Sequence, residues 1–213
     1  DLRERLIVQD EGSVLVALAA DVRPGERVLH VCAAPGGKTE LFAEAAGAAG
    51  NVIASDFRPG RVALLRSQLR RAGRAVPIVA LDAARSLPFQ PVFDCVVVDA
   101  PCSGLGTLRR DPDLKWTRSE TDLGTFAAIQ AQMIEHAAVA VRPGGRLLYA
   151  TCSSEPEEND VIVSGFLSRH PDFHAEPITA GIDRQLVNAR GFLETLPFRD
   201  ELDAFYAAKL VRS

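Results

Sequence analysis

The feature that most constrains this chain is an alternation beginning at residue 27, in which short runs rich in Val, Ile and Leu take turns with stretches of helical apolar spacing. That alternation marks βαβ units, with strands buried on both faces and crossover helices covering a parallel sheet. The runs at 28–32, 52–56, 78–81, 93–98 and 146–150 read as strands one to five, the third opening just after Pro77. Helices are expected over 38–46, 59–72, 130–141 and 157–169, with Pro156 suiting the first turn of the last. Beyond Pro171 the pattern weakens, and 191–196 with 204–211 reads as a closing strand pair joined by the polar turn 199–203. An apolar helix is expected around 14–20, and no repeat, low-complexity tract or linker divides residues 1–213, which read as one domain.

Length and charge narrow the function classes. A chain of 213 residues, 47% hydrophobic and 24% charged, can bury about 70% of its unfolded surface without a disulfide or metal staple. The formal net charge of −4 excludes gripping nucleic acid by the total field, so phosphate contacts must come from local clusters. Arg61, Arg66, Arg70, Arg71 and Arg74 form one cluster, read as a solvated helix face; Arg109, Arg110, Lys115 and Arg118 form another. No apolar stretch is long enough to span a bilayer and the first residues lack a signal-peptide pattern, so the expected location is cytoplasmic. Cys32, Cys95, Cys102 and Cys152 form no CxxC pair, and His170 and His174 lack the cysteine half of a zinc pattern. Reduced thiols and no metal are therefore expected.

In an open parallel sheet, ligands bind beyond the carboxyl ends of the strands. Here those ends carry Cys32-Ala33-Ala34-Pro35-Gly36-Gly37-Lys38-Thr39, Asp56, Asp82, Asp99-Ala100-Pro101-Cys102 and Thr151-Cys152-Ser153. The first loop lets a ligand approach bare backbone where a helix begins. A P-loop and a dinucleotide fingerprint lose most of their weight here, because Cys32 stands where the first needs Gly and GxGxxG is absent. Asp56 lies at the usual distance for holding ribose hydroxyls, but an Asp shortly before Pro59 also suits a helix N-cap. Asp82 either holds an amino group or ends its strand. Cys95, inside an apolar run, reads as core filling. Cys102 and Cys152 sit at strand-to-loop junctions among Pro, Ser, Thr and Gly, where neighbouring groups can activate a thiol.

Taken in order, these motifs resemble the Sun family of RNA cytosine-5 methyltransferases, the RsmB-like enzymes. The segment 8–13 (VQDEGS) is similar to the family's entry to its catalytic domain, 32–39 to its cofactor loop, and 99–104 (DAPCSG) with 151–153 (TCS) to its two cysteine motifs; 205–210 (FYAAKL) is similar to its closing strand. The resemblance implies a Rossmann-like, S-adenosylmethionine-dependent methyltransferase fold: α/β, with a seven-stranded, mostly parallel sheet, its last strand antiparallel, and helices on both faces. It implies that Cys32, Ala33, Ala34, Pro35, Gly36, Gly37 and Lys38, with Asp56, Arg61, Asp82 and Asp99, bind S-adenosylmethionine. It makes Cys152 the attacking thiol and Cys102 the group that aids release, with Asp99 and Lys38 at the polar edge of the base.

The implied substrate is RNA, ribosomal small-subunit RNA first and transfer RNA second, with Arg109, Arg110, Lys115 and Trp116 as phosphate-binding and stacking groups. A basic loop that merely packs Trp116 on the domain is the alternative for that segment. An upstream RNA-binding region outside the chain and a monomeric state are further expectations. Two departures stand out: His30 replaces the family's usual acid, and Ala204 its more usual Gly. A histidine at position 30 either lowers cofactor affinity or makes binding pH-dependent, or is a tolerated substitution satisfied by a nearby backbone group. The competing classes are an inactive RNA-binding assembly factor, against which both cysteines and the three later acids argue, and a protein or small-molecule methyltransferase, which leaves the cysteine pair without a purpose.

Overall fold

The computed structural model describes residues 9–48, 50–179 and 181–213; Val8, the first residue of the entry motif, lies outside them. Element order is α1 (Glu11–Ala19), β1 (Arg27–Val31), α2 (Gly37–Ala46), β2 (Asn51–Asp56), α3 (Pro59–Arg71), β3 (Ile78–Ala80), β4 (Phe93–Asp99), α4 (Leu114–Thr117), α5 (Glu120–Ala138), β5 (Val141–Thr151), α6 (Asp160–Arg169), β6 (Phe173–Ala175), β7 (Leu193–Thr195), α7 (Pro197–Asp200) and β8 (Phe205–Arg212). The sheet runs β3-β2-β1-β4-β5-β8-β6, and β7 also pairs with β8. Strands β1 to β5 are mutually parallel, while β8 is antiparallel to β5.

Successive residues of each strand face opposite layers. Leu29, Val31, Val96, Val98, Leu147 and Tyr149 pack under α5 and α6 through Met133, Ile134, Ile162 and Phe166. Val28, Val97, Leu148 and Ala150 face α1 and α2 through Val16 and Phe42, and Ala54 meets Leu65 and Leu69 of α3. Cys95 is fully buried in this layer, as its place in the apolar run implies. Helices therefore cover both faces.

Among the described residues the sheet has eight strands rather than seven. The additional β6 holds three residues, of which only Phe173 is buried, too few to show a period of two. Helix α5 starts at Glu120, ten residues before the expected 130, because its first turns are polar and exposed and are fixed by a capping box between Ser119 and Asp122. It ends at Ala138, since Val141 already pairs with Phe93 in β5, and Pro143 to Gly145 are carried in that strand across a register shift. The expected helix 157–169 is broken: a 3₁₀ turn, Pro156–Glu158, precedes α6, and Asn159 between them leaves helical geometry (φ −116°, ψ −98°). Strand β3 stops at Ala80, which leaves Asp82 in the following loop.

Candidate active site

The parallel pairing of β4 with β5 sets Asp99 beside Ala150, so the loops beyond them emerge next to each other. Cys102 Sγ and Cys152 Sγ lie 3.0 Å apart, and the amide N–H of Cys152 points at Cys102 Sγ from 3.3 Å. A third segment locks this junction. The amide of Gly106 donates to the Cys152 carbonyl (3.1 Å), and the Gly106 carbonyl accepts from Ala204 N–H (2.9 Å). A Cβ at position 106 would lie 2.8 Å from the Cys152 carbonyl oxygen and press on the backbone of Ala204. Gly106→Ala is therefore expected to destabilise the protein by about 2–3 kcal/mol, the cost of overpacking against backbone that cannot yield. Thermal melting of the variant checks this; an unchanged midpoint would contradict it.

The two thiols differ electrostatically. The proton of Cys102 is held by its hydrogen bond to Cys152 and by burial, so its pKa rises well above the usual thiol value. Cys152 is shifted down, first by accepting that bond and also by the nearby Lys38 ammonium, against the opposing effects of burial and Asp99. Of the two, Cys152 is the thiol shifted toward ionisation. Lys38 is itself fixed by an ion pair with Asp99 (Nζ to Oδ2 2.9 Å) and lies over the Phe205 ring. Burial pushes Cys32 up to about 12 and Cys95 up to about 11, which leaves both as unreactive thiols.

The loop after β1 is built for close approach. Cys32 takes a left-handed conformation (φ 59°), and Gly36 sits at φ 119° against α3, where a Cβ would come within 2.9 Å of Leu65. Gly37 then opens α2, and the Gln9 side chain donates to its carbonyl (3.2 Å), which gives the entry motif a role in holding this loop. Asp56 is buried and accepts from Ala34 N–H (3.1 Å), Phe57 N–H (2.9 Å) and Arg61 Nε. Arg61 also donates to the Ala34 carbonyl (2.6 Å). Asp56 is not the cap of α3, whose N-cap is Arg58 with no side-chain bond. The capping alternative therefore falls. Asp82 accepts from Ala84 N–H (3.0 Å), and Asp82 and Asp99 each keep about a quarter of their side-chain surface exposed.

His30 is fully buried, with Nδ1 2.8 Å from Thr39 Oγ1 and Nε2 unpartnered. Its partner is a side-chain hydroxyl rather than a backbone group. Burial lowers its pKa to about 4, which favours the neutral imidazole at physiological pH.

A buried polar network under the cysteine loops was not legible in the sequence. Glu158, fully buried, accepts from Ser103 N–H (2.8 Å), Ser103 Oγ–H (2.6 Å) and Gln130 Nε2 (2.9 Å). Gln130 also donates to the Pro101 carbonyl and Arg118 to the Ser103 carbonyl. Asn159 ties Thr151 Oγ1 to the Ser153 carbonyl, and the Tyr149 hydroxyl donates to the Glu158 carbonyl. The signal was present only as polar residues, Glu158 and Asn159, at the start of an expected helix.

The basic loop divides. Arg109 and Arg110 both lie against the buried carboxylate of Asp203, and Arg109 donates to the Glu201 carbonyl (2.9 Å). Each guanidinium is about half exposed. Trp116 is 78% exposed with Lys115 over its ring, so it is not packed on the domain. Arg66, Arg70 and Arg71 are exposed on α3, as a solvated face implies, whereas Arg74 pairs with Glu40 and Glu44. Two depressions of about 420 and 260 Å³ open near the start of β2 and β3, at the opposite end of the strands, and hold no nucleophile. Among the described residues no His, Cys, Asp and Glu group has metal-site geometry, and no helix is long and apolar enough to cross a membrane.

A Rossmann-like sheet with an antiparallel β8 and loaded strand ends defines the fold class of S-adenosylmethionine-dependent methyltransferases. Residues 17–211 match the family described as 16S rRNA methyltransferase RsmB/F, and the chain belongs to that family, the Sun family expected from its motifs. It is 36% identical over 212 residues to the probable ribosomal RNA small subunit methyltransferase B of Bacillus subtilis, covering 95% of this chain and 47% of the relative. Against ribosomal RNA small subunit methyltransferase B of Erwinia tasmaniensis it is 41% identical over 199 residues, covering 92% and 44%. The crystal structure of NSun6 from Pyrococcus horikoshii with SFG superposes with a TM-score of 0.84 at 26% identity, over 96% of this chain and 52% of that one. The chain spans about half the length of these relatives.

Proposed function

We propose that residues 1–213 act as one catalytic unit that methylates carbon 5 of cytosine in RNA, with ribosomal small-subunit RNA as the substrate. The observation that carries this reading is the cysteine pair in contact beyond the ends of β4 and β5, with Lys38 and the Cys102 hydrogen bond shifting Cys152 down. The names of the relatives support the choice of RNA. The strand ends suit S-adenosylmethionine on chemical grounds. Three carboxylates, Asp56, Asp82 and Asp99, line them, which repel a phosphate but favour a cationic sulfonium, an amino group and ribose hydroxyls. The bare backbone of 32–37 and the start of α2 receive the carboxylate end, and Arg61 keeps Asp56 and Ala34 in register. Phe57, 60% exposed beside Asp56, offers a stacking face.

Carbon 5 of cytosine is a poor nucleophile. Cys152 Sγ bonds to carbon 6, and the electrons of the 5,6 double bond move to carbon 5. S-adenosylmethionine, when bound, would supply the methyl group that carbon 5 takes, its S–CH3 bond breaking and its sulfur leaving as the neutral thioether of S-adenosylhomocysteine. Lys38 and Asp99, side by side, hold the polar edge of the base. Once Cys152 is bonded it no longer carries charge, so Cys102 gives its own proton to solvent and takes the proton from carbon 5. The double bond re-forms and Cys152 leaves as a thiolate. The base must be unstacked to reach this junction; Trp116 and Lys115, with the exposed edges of Arg109 and Arg110, receive the neighbouring nucleotides. Bisulfite sequencing of cellular RNA with and without the gene tests the proposal: one 5-methylcytosine is expected to disappear from small-subunit ribosomal RNA, and an unchanged map of that RNA would contradict the substrate.

A further inference from the structure

We propose that Glu158 is a positioning residue that assigns the roles of the two cysteines, its buried charge behind the Cys102 loop keeping Cys102 a thiol and leaving Cys152 as the thiolate. This rests on the reading of the pair as nucleophile and base. The geometry is direct. Glu158 is fully enclosed yet accepts three hydrogen bonds, two of them from Ser103, the residue that follows Cys102. Its donors are neutral: a backbone amide, a hydroxyl and a carboxamide, so no cation cancels its charge. A charge in a low-dielectric site acts strongly on a neighbour and is felt less by a thiol further away.

Of the groups facing the pair, two oppose this division, Asp99 at Cys152 and the Cys152 amide N–H at Cys102 Sγ (3.3 Å), and the rest favour it. From α2 Lys38, and from β4 its partner Asp99, act on Cys152. On the Cys102 side stand Glu158 and the Tyr149 hydroxyl of β5, which donates to the Glu158 carbonyl; the Arg118 guanidinium is spent on the Ser103 carbonyl. The cation thus stands by Cys152 and the uncompensated buried anion by Cys102. Glu158 also adds to the factors that raise the Cys102 pKa. Two thiols 3.0 Å apart cannot both ionise readily, so a modest bias decides which one does first.

Alkylation by iodoacetamide, with mass spectrometry of each cysteine-containing peptide across pH 6 to 9, tests this without RNA or cofactor. A failure of the labelling prediction is thereby separate from a failure of the methylation reading. The unaltered protein is expected to label Cys152 at least about tenfold faster than Cys102 near neutral pH, the ratio of one pKa unit. Glu158→Gln is expected to cut that preference to about threefold or less and move Cys102 labelling to lower pH, while Glu158→Asp, which keeps the charge, retains most of it. Ser103→Ala, which removes the hydroxyl and its hydrogen bonds to Glu158, Ser153 and the Leu105 amide but no charge, is expected to leave the preference near its original value. An unchanged preference in a folded Glu158→Gln protein would overturn the proposal. So would an equal loss in Ser103→Ala, which would make the effect one of loop geometry, or a Glu158→Gln protein that does not fold, which would mark the residue as structural only.

Discussion

Cys152→Ala is expected to reduce methyl transfer to RNA by at least ~10⁴-fold, because without the thiolate nothing raises the electron density at carbon 5. Transfer of radiolabelled methyl groups from S-adenosylmethionine to RNA measures this. The variant should remain folded, since Cys152 is only partly enclosed and its backbone carbonyl, not its side chain, bonds to Gly106. Binding of the cofactor should change little, because Cys152 is not among the groups that shape the loop after β1. Retained activity would sink the assignment of the nucleophile.

Cys102→Ala is expected to behave in the opposite way. Addition to carbon 6 and methylation still proceed, but the proton at carbon 5 loses its acceptor, and Cys152 cannot leave. A covalent protein–RNA complex should therefore accumulate to near one RNA per protein and survive denaturing electrophoresis, with turnover at least ~10²-fold slower, the scale of one lost acid–base group. Removing Cys102 also takes away the hydrogen bond that lowers the Cys152 pKa, so adduct formation should shift to higher pH than turnover of the unaltered protein. A variant that turns over normally with no adduct would show that another group removes the proton.

Particular residues show why some of this was legible in the sequence and some was not. The strands and their loaded ends were visible because a parallel sheet buries near-continuous apolar runs, and the polar residues that follow them stand out. Cys102 and Cys152 were marked as a pair by that contrast alone, but their order was implied only by family resemblance; the Lys38 ammonium and the Cys102 hydrogen bond supply a physical reason for it. Long-range partners were invisible. Arg109 and Arg110 look like a free basic patch until Asp203, more than ninety residues away, takes part of their charge. Glu158 and Asn159 sit in a run, 154–160, that reads as solvated in one dimension, yet both turn inward where the helix breaks. His30, an apparent departure from the family, is accommodated by Thr39 and by the edge-on ring of Phe42.

The central claim is that Cys152 forms the bond to the base, and mapping the trapped adduct tests it most directly. After nuclease and trypsin digestion of the Cys102→Ala complex, tandem mass spectrometry should place a methylated cytosine nucleotide on the peptide 147–169, in which Cys152 is the only cysteine. A nucleotide attached to any other peptide, or none attached to that one, would contradict the account.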